Sequence, residues 1–125
     1  MTQAQPVVAV VDDEPEMRKA LRRLLASRGF RVEEFERGDE FLAAVGGRPW
    51  HCVLLDLHLP GINGFEVLEA LGIRRIPVPV IVITAHDEPG TAERVSALGA
   101  SAYLRKPVER DVLFVAIAEA APGTS

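Results

Sequence analysis

Three short stretches of the chain are apolar without interruption, and they limit the possible folds more than any other feature of the sequence. They lie at residues 7–11, 52–55 and 80–83. Short uninterrupted runs that are rich in β-branched residues are typical of strands covered on both faces, as in a parallel sheet. The sequence therefore predicts a central sheet buried between two layers.

Weaker patterns complete this architecture. Residues 31–35 mix charged and apolar side chains, which suits an edge strand, and residues 102–104 are predicted to form a short fifth strand. Predicted helices follow the strands at residues 17–25, 39–45, 64–71, 91–98 and 108–120. Because crossovers between parallel strands are right-handed, five strand–helix units predict a doubly wound α/β fold.

Length and composition suit a single domain. The chain has 125 residues, of which 48% are hydrophobic and 26% are charged, as is usual for a globular protein. We predict one domain over residues 1–125, with a core at about residues 6–120 and a tail or linker at residues 121–125. Cys52, the one cysteine, lies in an apolar run and is predicted to be a buried core residue.

Charge and hydropathy exclude several classes of protein. The net charge of -4 argues against a general nucleic-acid binder, which would normally carry a basic surplus. The first residues lack the charged and apolar regions of a signal peptide, and no apolar run approaches the roughly 18 residues of a membrane span. We therefore expect a cytoplasmic protein without direct contacts to nucleic acid or membrane.

Polar residues stand where four of the predicted strands end. Asp12 and Asp13 follow the first strand, Asp56 follows the third, Thr84 ends the fourth and Lys106 follows the fifth. In open α/β sheets the ligand crevice lies at the carboxyl ends of the strands. Five side chains from four segments are therefore predicted to converge on one edge of the sheet.

The three carboxylates at this edge require a positive partner. Ends of neighbouring strands lie about 4.8 Å apart, and two carboxylates about 4 Å apart repel by about 4 kcal/mol at a surface-like dielectric constant. A bound cation or strongly raised pKa values would relieve this repulsion. Oxygen ligands without a nearby cysteine or His-x-x-x-His spacing suit Mg²⁺, and Lys106 would add a second positive charge.

These residues belong to five motifs that resemble the response-regulator receiver domains of two-component signalling. The motifs are Val10-Val11-Asp12-Asp13-Glu14, Leu54-Leu55-Asp56-Leu57-His58-Leu59-Pro60-Gly61, Asn63-Gly64, Ile83-Thr84-Ala85 and Lys106-Pro107. One motif alone would be weak evidence, but five in order are specific, and the resemblance covers residues 6–120. It implies a flavodoxin-like receiver fold with strand order 2-1-3-4-5 and five helices. Further segments, such as Phe41-Leu42, most resemble receivers of nitrogen-fixation and LuxR-type transcription regulators.

The resemblance implies a role for each residue of the cluster. Asp56 would be the phosphoacceptor, a carboxylate nucleophile that forms an acyl phosphate. Asp13 would bind Mg²⁺ directly, Asp12 would hold it through water, and the backbone carbonyl of His58 would complete the protein ligands. Lys106 and Mg²⁺ would neutralise charge on the transferring phosphoryl group. The donor would be a phosphohistidine on a histidine kinase or phosphotransfer protein, and the chain would not be a multiple-turnover enzyme.

The resemblance also implies a switch. Thr84 would hydrogen-bond the phosphoryl group, and Tyr103 would rotate inward as the loop moves. A hydrogen bond to a charged group contributes about 1.5–3 kcal/mol, whereas moving a two-state equilibrium from 1:99 to 99:1 requires about 5.5 kcal/mol. Thr84 therefore cannot drive the switch alone. The family further implies a cis Lys106–Pro107 bond, whereas Val108 departs from the aromatic residue that is common there.

Two surfaces are candidates for partner binding. Basic residues of the first helix form either a solvated face or a docking surface for the kinase or phosphotransfer partner; they are Arg18, Lys19, Arg22, Arg23 and Arg28. Residues 112–118 are apolar around the whole helix, and Phe114 is predicted to face away from the core. In this family, the face formed by helix 4, strand 5 and helix 5 carries output to an effector domain or a homodimer, so we expect an interface there.

Several alternatives stay open at this point. Asp13 could begin a capping box at a helix N-terminus. His51, His58 and His86 match no metal motif, and we hypothesise that His58 and His86 tune the lifetime of the phosphoryl group.

Rival functions would share the architecture. A flavodoxin-like cofactor module would need a phosphate-binding loop where Asp12-Asp13-Glu14 stands. A phosphatase with an aspartyl nucleophile would usually carry a second acid at the position of His58. An interaction module that is never phosphorylated is a third alternative. Whether the receiver is free-standing or part of a longer regulator stays open.

Overall fold

The computed structural model describes residues 5–121, in which five strands alternate with five helices. The strands are β1 (Val7–Val11), β2 (Arg31–Phe35), β3 (Cys52–Asp56), β4 (Val80–Thr84) and β5 (Ala102–Arg105). The helices are α1 (Pro15–Ala26), α2 (Gly38–Val45), α3 (Gly64–Ile73), α4 (Thr91–Ala97) and α5 (Arg110–Ala120). All paired strands are parallel, and their order is β2-β1-β3-β4-β5. The predicted fold class and strand order are confirmed.

Alternate residues of the central strands fill two separate cores. Val8 and Val10 of β1 pack with α1 and α5, whereas Ala9 and Val11 pack with α2, α3 and α4. Successive side chains of a strand point to opposite faces, so a strand covered on both faces is apolar at nearly every position. Cys52 is fully buried in the α1/α5 core, and burial raises the pKa of its thiol to about 12. Its predicted role as a core residue is confirmed.

Several predicted helix boundaries are wrong by one or two residues. Helix α3 continues to Ile73 rather than ending at residue 71. Helix α5 begins at Arg110 rather than at residue 108, because Glu109 keeps an extended backbone with φ -78° and ψ 142°. Val108 instead packs against the α1/α5 core. A hydrophobic residue just outside a helix can thus extend the apolar pattern beyond the helix itself.

The capping alternative for Asp13 is also wrong. The N-cap residue of α1 is Glu14, and no side chain caps this end of the helix. A true capping box lies at the start of α3, where Asn63 Oδ1 accepts from the Glu66 N–H and Glu66 Oε1 accepts from the Asn63 N–H, each at 2.9 Å. Asp13 is therefore left available for another role.

Phe114 does not face away from the core, contrary to the prediction. Its ring is partly buried against the α1/α5 core, and the guanidinium of Arg28 lies 4.3 Å from the ring centroid. A large ring at the border of the buried stripe can lean over neighbouring apolar surface, which spacing along one helix does not reveal. The large apolar side chains that α5 exposes are instead Val112 and Val115, with 45% and 57% exposure.

No helix within residues 5–121 is long and apolar enough to cross a membrane. Of the tail predicted at residues 121–125, only Ala121 falls within the described part of the chain.

Gly64 brings the first turn of α3 against the end of β3. A Cβ atom at this position would lie 2.6 Å from the carbonyl oxygen of Asp56 and 2.7 Å from the Cα of Leu57. Both are backbone atoms, which cannot rotate away. The Gly64 N–H also donates to the Leu57 carbonyl at 3.0 Å. This close approach requires glycine and holds the chain segment that follows Asp56.

We expect Gly64→Ala to lower the free energy of unfolding by about 1–3 kcal/mol, the usual effect of overpacking. Gly72→Ala is the matched control in the same helix, because its Cβ would meet no atom within 4 Å. That variant should be neutral or up to about 1 kcal/mol more stable, since alanine favours helix. Urea unfolding of both variants is the measurement, and equal stabilities would contradict the packing argument.

Candidate functional site

Three carboxylates meet at the carboxyl edge of the sheet. Asp12 and Asp13 follow β1 and Asp56 ends β3, and these two strands pair directly. Ligand oxygens from all three side chains lie within 4.8 Å of one another. Asp12 and Asp56 are 3% and 5% exposed, whereas Asp13 is open to solvent. The negative charge is therefore concentrated in a pocket that is accessible from one side.

Lys106 supplies positive charge to this pocket. Its Nζ lies 2.9 Å from Asp12 Oδ2, 3.0 Å from Glu14 Oε1 and 3.7 Å from Asp56 Oδ2. Burial of the ammonium opposes its charge, but hydrogen bonds to Asp12 and Glu14 and the charge of Asp56 outweigh burial and raise the pKa of Lys106 to about 12. The stabilisation from these ion pairs is therefore present at neutral pH and is lost only as the pH rises through about 12. The Lys106–Pro107 bond is cis, as predicted.

The charge of Asp56 is only partly compensated. Burial is the main reason that its pKa is raised above the usual value; the charges of Asp12 and Asp13 raise it further, and Lys106 opposes them. The His58 N–H donates to Asp56 Oδ1 at 3.3 Å. A raised folded-state pKa means that ionisation of Asp56 lowers stability as the pH rises through that pKa. A further cation beside Asp56 would offset this loss.

Asp12 is held at each of its polar groups. Its N–H donates to the Phe35 carbonyl at 3.0 Å, and its carbonyl accepts from Arg18 Nη1 at 2.8 Å. Its Oδ1 accepts from the Glu14 N–H at 2.9 Å, and its Oδ2 pairs with Lys106. Sequence reasoning missed the contributions of Glu14 and Arg18. The acidic run Asp12-Asp13-Glu14 was an available signal for Glu14, whereas nothing in the sequence distinguished Arg18 from its basic neighbours.

Thr84 and Tyr103 bond to the loop between β4 and α4. Thr84 is fully buried; its hydroxyl donates to the His86 carbonyl at 3.3 Å and accepts from the His86 N–H at 3.2 Å. The Tyr103 hydroxyl donates to Asp87 Oδ1 at 2.8 Å, and Arg105 pairs with the other oxygen of Asp87 at 3.1 Å. Thr84 thus lies at the same edge of the sheet as the carboxylates. Its hydroxyl is bonded to the backbone of the loop between β4 and α4.

Two of the three histidines meet at the rim of the pocket. The rings of His58 and His86 are exposed, with centroids 4.7 Å apart and planes at 83°. His51 lies elsewhere, with its ring 5.1 Å from that of Phe30. Within residues 5–121, the one group of three or more clustered His, Cys, Asp or Glu side chains is the aspartate cluster. A zinc site built from these histidines has no support.

Ion pairs within the chain engage part of the basic cluster on α1. Arg18 Nε and Arg22 Nη1 lie 3.4 and 3.3 Å from the two carboxylate oxygens of Glu34 on β2. Lys19 and Arg23 are exposed. The charge available for docking a partner is therefore smaller than the sequence suggested.

The donor set of the pocket fits a hard divalent cation. Its three aspartate side chains offer only oxygen ligands, and the exposed position of Asp13 leaves room for water. Mg²⁺ prefers a few carboxylate oxygens and retains several waters. Because Lys106 supplies one positive charge against three negative ones, a divalent cation would bring the pocket close to neutrality.

Comparison with known proteins shows a family match over most of the chain. The family model of the response regulator receiver domain matches residues 8–118. The transcriptional regulatory protein FixJ of Bradyrhizobium diazoefficiens is 36% identical over 113 residues, which cover 90% of this chain and 55% of that protein. The transcriptional regulatory protein TcrA of Mycobacterium tuberculosis is 40% identical over 109 residues, which cover 86% of this chain and 42% of that protein. The chain thus spans about half the length of these relatives.

Solved structures agree in fold. The crystal structure of a CheY-like response regulator receiver domain protein from Methanospirillum hungatei matches with a TM-score of 0.85 and 27% sequence identity, covering 93% of each chain. With the family match over nearly the whole described sequence, this resemblance is sufficient for an assignment. The chain belongs to the response-regulator receiver domains of two-component systems.

Proposed function

We propose that this receiver domain is a phosphorylation-dependent switch in which Asp56 accepts a phosphoryl group in the presence of Mg²⁺. The observation that carries the proposal is the buried Asp56 carboxylate, which lies beside two further carboxylates and 3.7 Å from the ammonium of Lys106. Membership of the receiver family supports the same role. The donor would be a phosphohistidine on a histidine kinase or phosphotransfer protein.

Each residue of the pocket has a task in the transfer. A carboxylate oxygen of Asp56 forms the new bond to phosphorus, while the bond from phosphorus to the donor nitrogen breaks and its electron pair stays with the donor imidazole. Asp12, Asp13, Asp56 and the backbone carbonyl of His58 would hold Mg²⁺, which neutralises charge on phosphoryl oxygens when bound. Lys106 moves from its carboxylate partners toward the phosphoryl group and stabilises its charge. These residues assist one transfer to Asp56 and the later hydrolysis of the acyl phosphate, in which water takes up the phosphoryl group as inorganic phosphate and the Asp56 carboxylate is regenerated. This is self-modification rather than multiple turnover of a substrate.

The signal would leave the site through Thr84 and Tyr103. A phosphoryl oxygen accepts the Thr84 hydroxyl hydrogen bond that the His86 carbonyl accepts in this structure, so the loop between β4 and α4 follows the phosphoryl group. Tyr103 then leaves Asp87 and turns inward. Output would pass to an effector domain or a second copy through the face formed by α4, β5 and α5, where Val112 and Val115 are exposed.

The rival functions have less support. A cofactor module would bind phosphate at the loop after β1, but that loop carries Asp12, Asp13 and Glu14, which repel an anion. A phosphatase with an aspartyl nucleophile would need a second acid where His58 stands. A flavin spectrum or turnover of a small phosphomonoester would favour one of these alternatives.

Phosphorylation itself is the first test. Incubation of the wild-type protein with acetyl phosphate and Mg²⁺ should add the mass of one phosphoryl group, and omission of Mg²⁺ should suppress the gain. Asp56→Asn should not gain this mass, because an amide is not a comparable nucleophile. Asp111→Asn, at an exposed aspartate of α5, is the control and should react like the wild type. Equal labelling of Asp56→Asn and wild type by intact mass would refute the proposal.

The repulsion within the pocket has its own consequence for stability. Without a divalent cation, Asp56→Asn should raise the free energy of unfolding by about 1–2 kcal/mol. A pair repulsion of about 4 kcal/mol at 4 Å is removed, and the lost attraction to Lys106 offsets part of the gain. The asparagine oxygen can still accept from the His58 N–H.

Urea unfolding in EDTA and in excess Mg²⁺ provides the measurement. Mg²⁺ should stabilise the wild type more than Asp56→Asn. A variant that is less stable than the wild type in EDTA would mean that the carboxylates do not repel one another as the geometry implies.

Thr84 should separate phosphorylation from the conformational change. Thr84→Ala should still accept the phosphoryl group, but its phosphorylated form should populate the switched state about tenfold to hundredfold less, the equivalent of a hydrogen bond to a charged group. Thr84→Ser keeps the hydroxyl and serves as the control. NMR signals of Tyr103 and the loop between β4 and α4 report the population, and identical spectra for phosphorylated Thr84→Ala and wild type would rule out this role.

A further inference from the structure

We propose that Arg18 is a positioning residue for the acidic cluster: its guanidinium fixes the peptide that joins Asp12 to Asp13 and thereby sets where the Asp13 carboxylate meets a divalent cation. The inference rests on the proposed function, of which the cation is a part. From the sequence alone, Arg18 was assigned only to the basic surface of the first helix.

The contact is made to backbone rather than to a carboxylate. Arg18 Nη1 donates to the carbonyl oxygen of Asp12 at 2.8 Å, and the Asp12 N–H donates to the carbonyl of Phe35 at 3.0 Å. Peptide groups are planar, so these two bonds orient both peptide planes that flank the Cα of Asp12. The Cα of Asp13 lies in the second of these planes. Arg18 therefore controls the direction from which Asp13 enters the pocket.

Arg18 is itself held in place. Its Nε lies 3.4 Å from Glu34 Oε1, and the other oxygen of Glu34 lies 3.3 Å from Arg22 Nη1. The Arg18 side chain is 16% exposed, whereas that of Arg22 is 51% exposed. A planar guanidinium can bond two partners at once in a fixed geometry. Arg18 thus ties the loop after β1 to the edge strand β2.

Electrostatics and positioning predict opposite effects of removing Arg18. Loss of a positive charge near three carboxylates should tighten the binding of a cation. Loss of a group that orients a ligand should weaken binding, and partners behind metal ligands typically contribute 10–100-fold in affinity. The sign of the change therefore distinguishes a positioning residue from a surface charge.

Arg22 provides a matched control for the experiment. Arg18→Met and Arg22→Met each remove one positive charge from α1 and one partner from Glu34, but only Arg18 bonds to Asp12. Calorimetric titration of the folded domain with MgCl₂ should show about tenfold weaker binding for Arg18→Met. Arg22→Met should change the affinity by less than about twofold. Arg18→Lys keeps the charge but lacks the planar guanidinium that can bond two partners. Its affinity for Mg²⁺ should lie between those of the wild type and Arg18→Met.

The outcomes separate this inference from the proposed function. If the wild type binds Mg²⁺ and is phosphorylated, but Arg18→Met binds as tightly as Arg22→Met, the positioning role is overturned and the proposed function stands. A wild type that does not bind Mg²⁺ would overturn both. Urea unfolding verifies that each variant is folded. If Arg18→Met does not fold, Arg18→Lys is compared with the wild type instead. An Arg18→Lys variant that binds Mg²⁺ as tightly as the wild type would then overturn the positioning role.

Discussion

The repulsion among three neighbouring carboxylates is the constraint on which the rest of this structure depends. Asp12, Asp13 and Asp56 bring their oxygens within 4.8 Å of one another because β1 and β3 are adjacent in the sheet. Without the packing of the folded domain, electrostatic repulsion would move these three carboxylates apart. Here the two buried cores fix the strands, Gly64 allows α3 to press against the end of β3, and Lys106 supplies the opposing charge.

The same repulsion leaves the negative charge of the site incompletely compensated. Lys106 is shared among Asp12, Glu14 and Asp56, and it approaches Asp56 least closely, at 3.7 Å. The pKa of Asp56 stays raised, which identifies a carboxylate whose negative charge would gain from another cation. Under the proposed function, this incomplete neutralisation would favour the binding of a divalent ion and, with it, of a phosphoryl group. The packing of the sheet thereby maintains a local excess of negative charge.

Prediction from the sequence succeeded where one physical signal dominated. Uninterrupted apolar runs identified β1, β3 and β4, because strands covered on both faces are apolar except at their ends, where Asp56 and Thr84 stand. Boundaries were less accurate, as at α5, because Val108 is partly buried against the core without being helical. The orientation of Phe114 was wrong, since a large ring can cover apolar surface beside its own helix. Strand order came from the family resemblance rather than from any pattern within the chain.

The sequence by itself determined which chemical groups stand at the edge of the sheet: acidic residues after β1 and at the end of β3, a hydroxyl at the end of β4 and an amine after β5. All of them lie at strand ends that a parallel sheet must bring to one edge. Only the tertiary structure decided how those groups are partnered. Glu14 shares the amine of Lys106, and Arg18 reaches back from α1 to the carbonyl of Asp12 while Glu34 holds it from β2. The contacts of Lys106 with Glu14 and of Arg18 with Glu34 join segments that are distant along the chain, and long charged side chains can adopt many conformations. Their choice among possible partners therefore follows from packing, which leaves no periodic signal in the sequence.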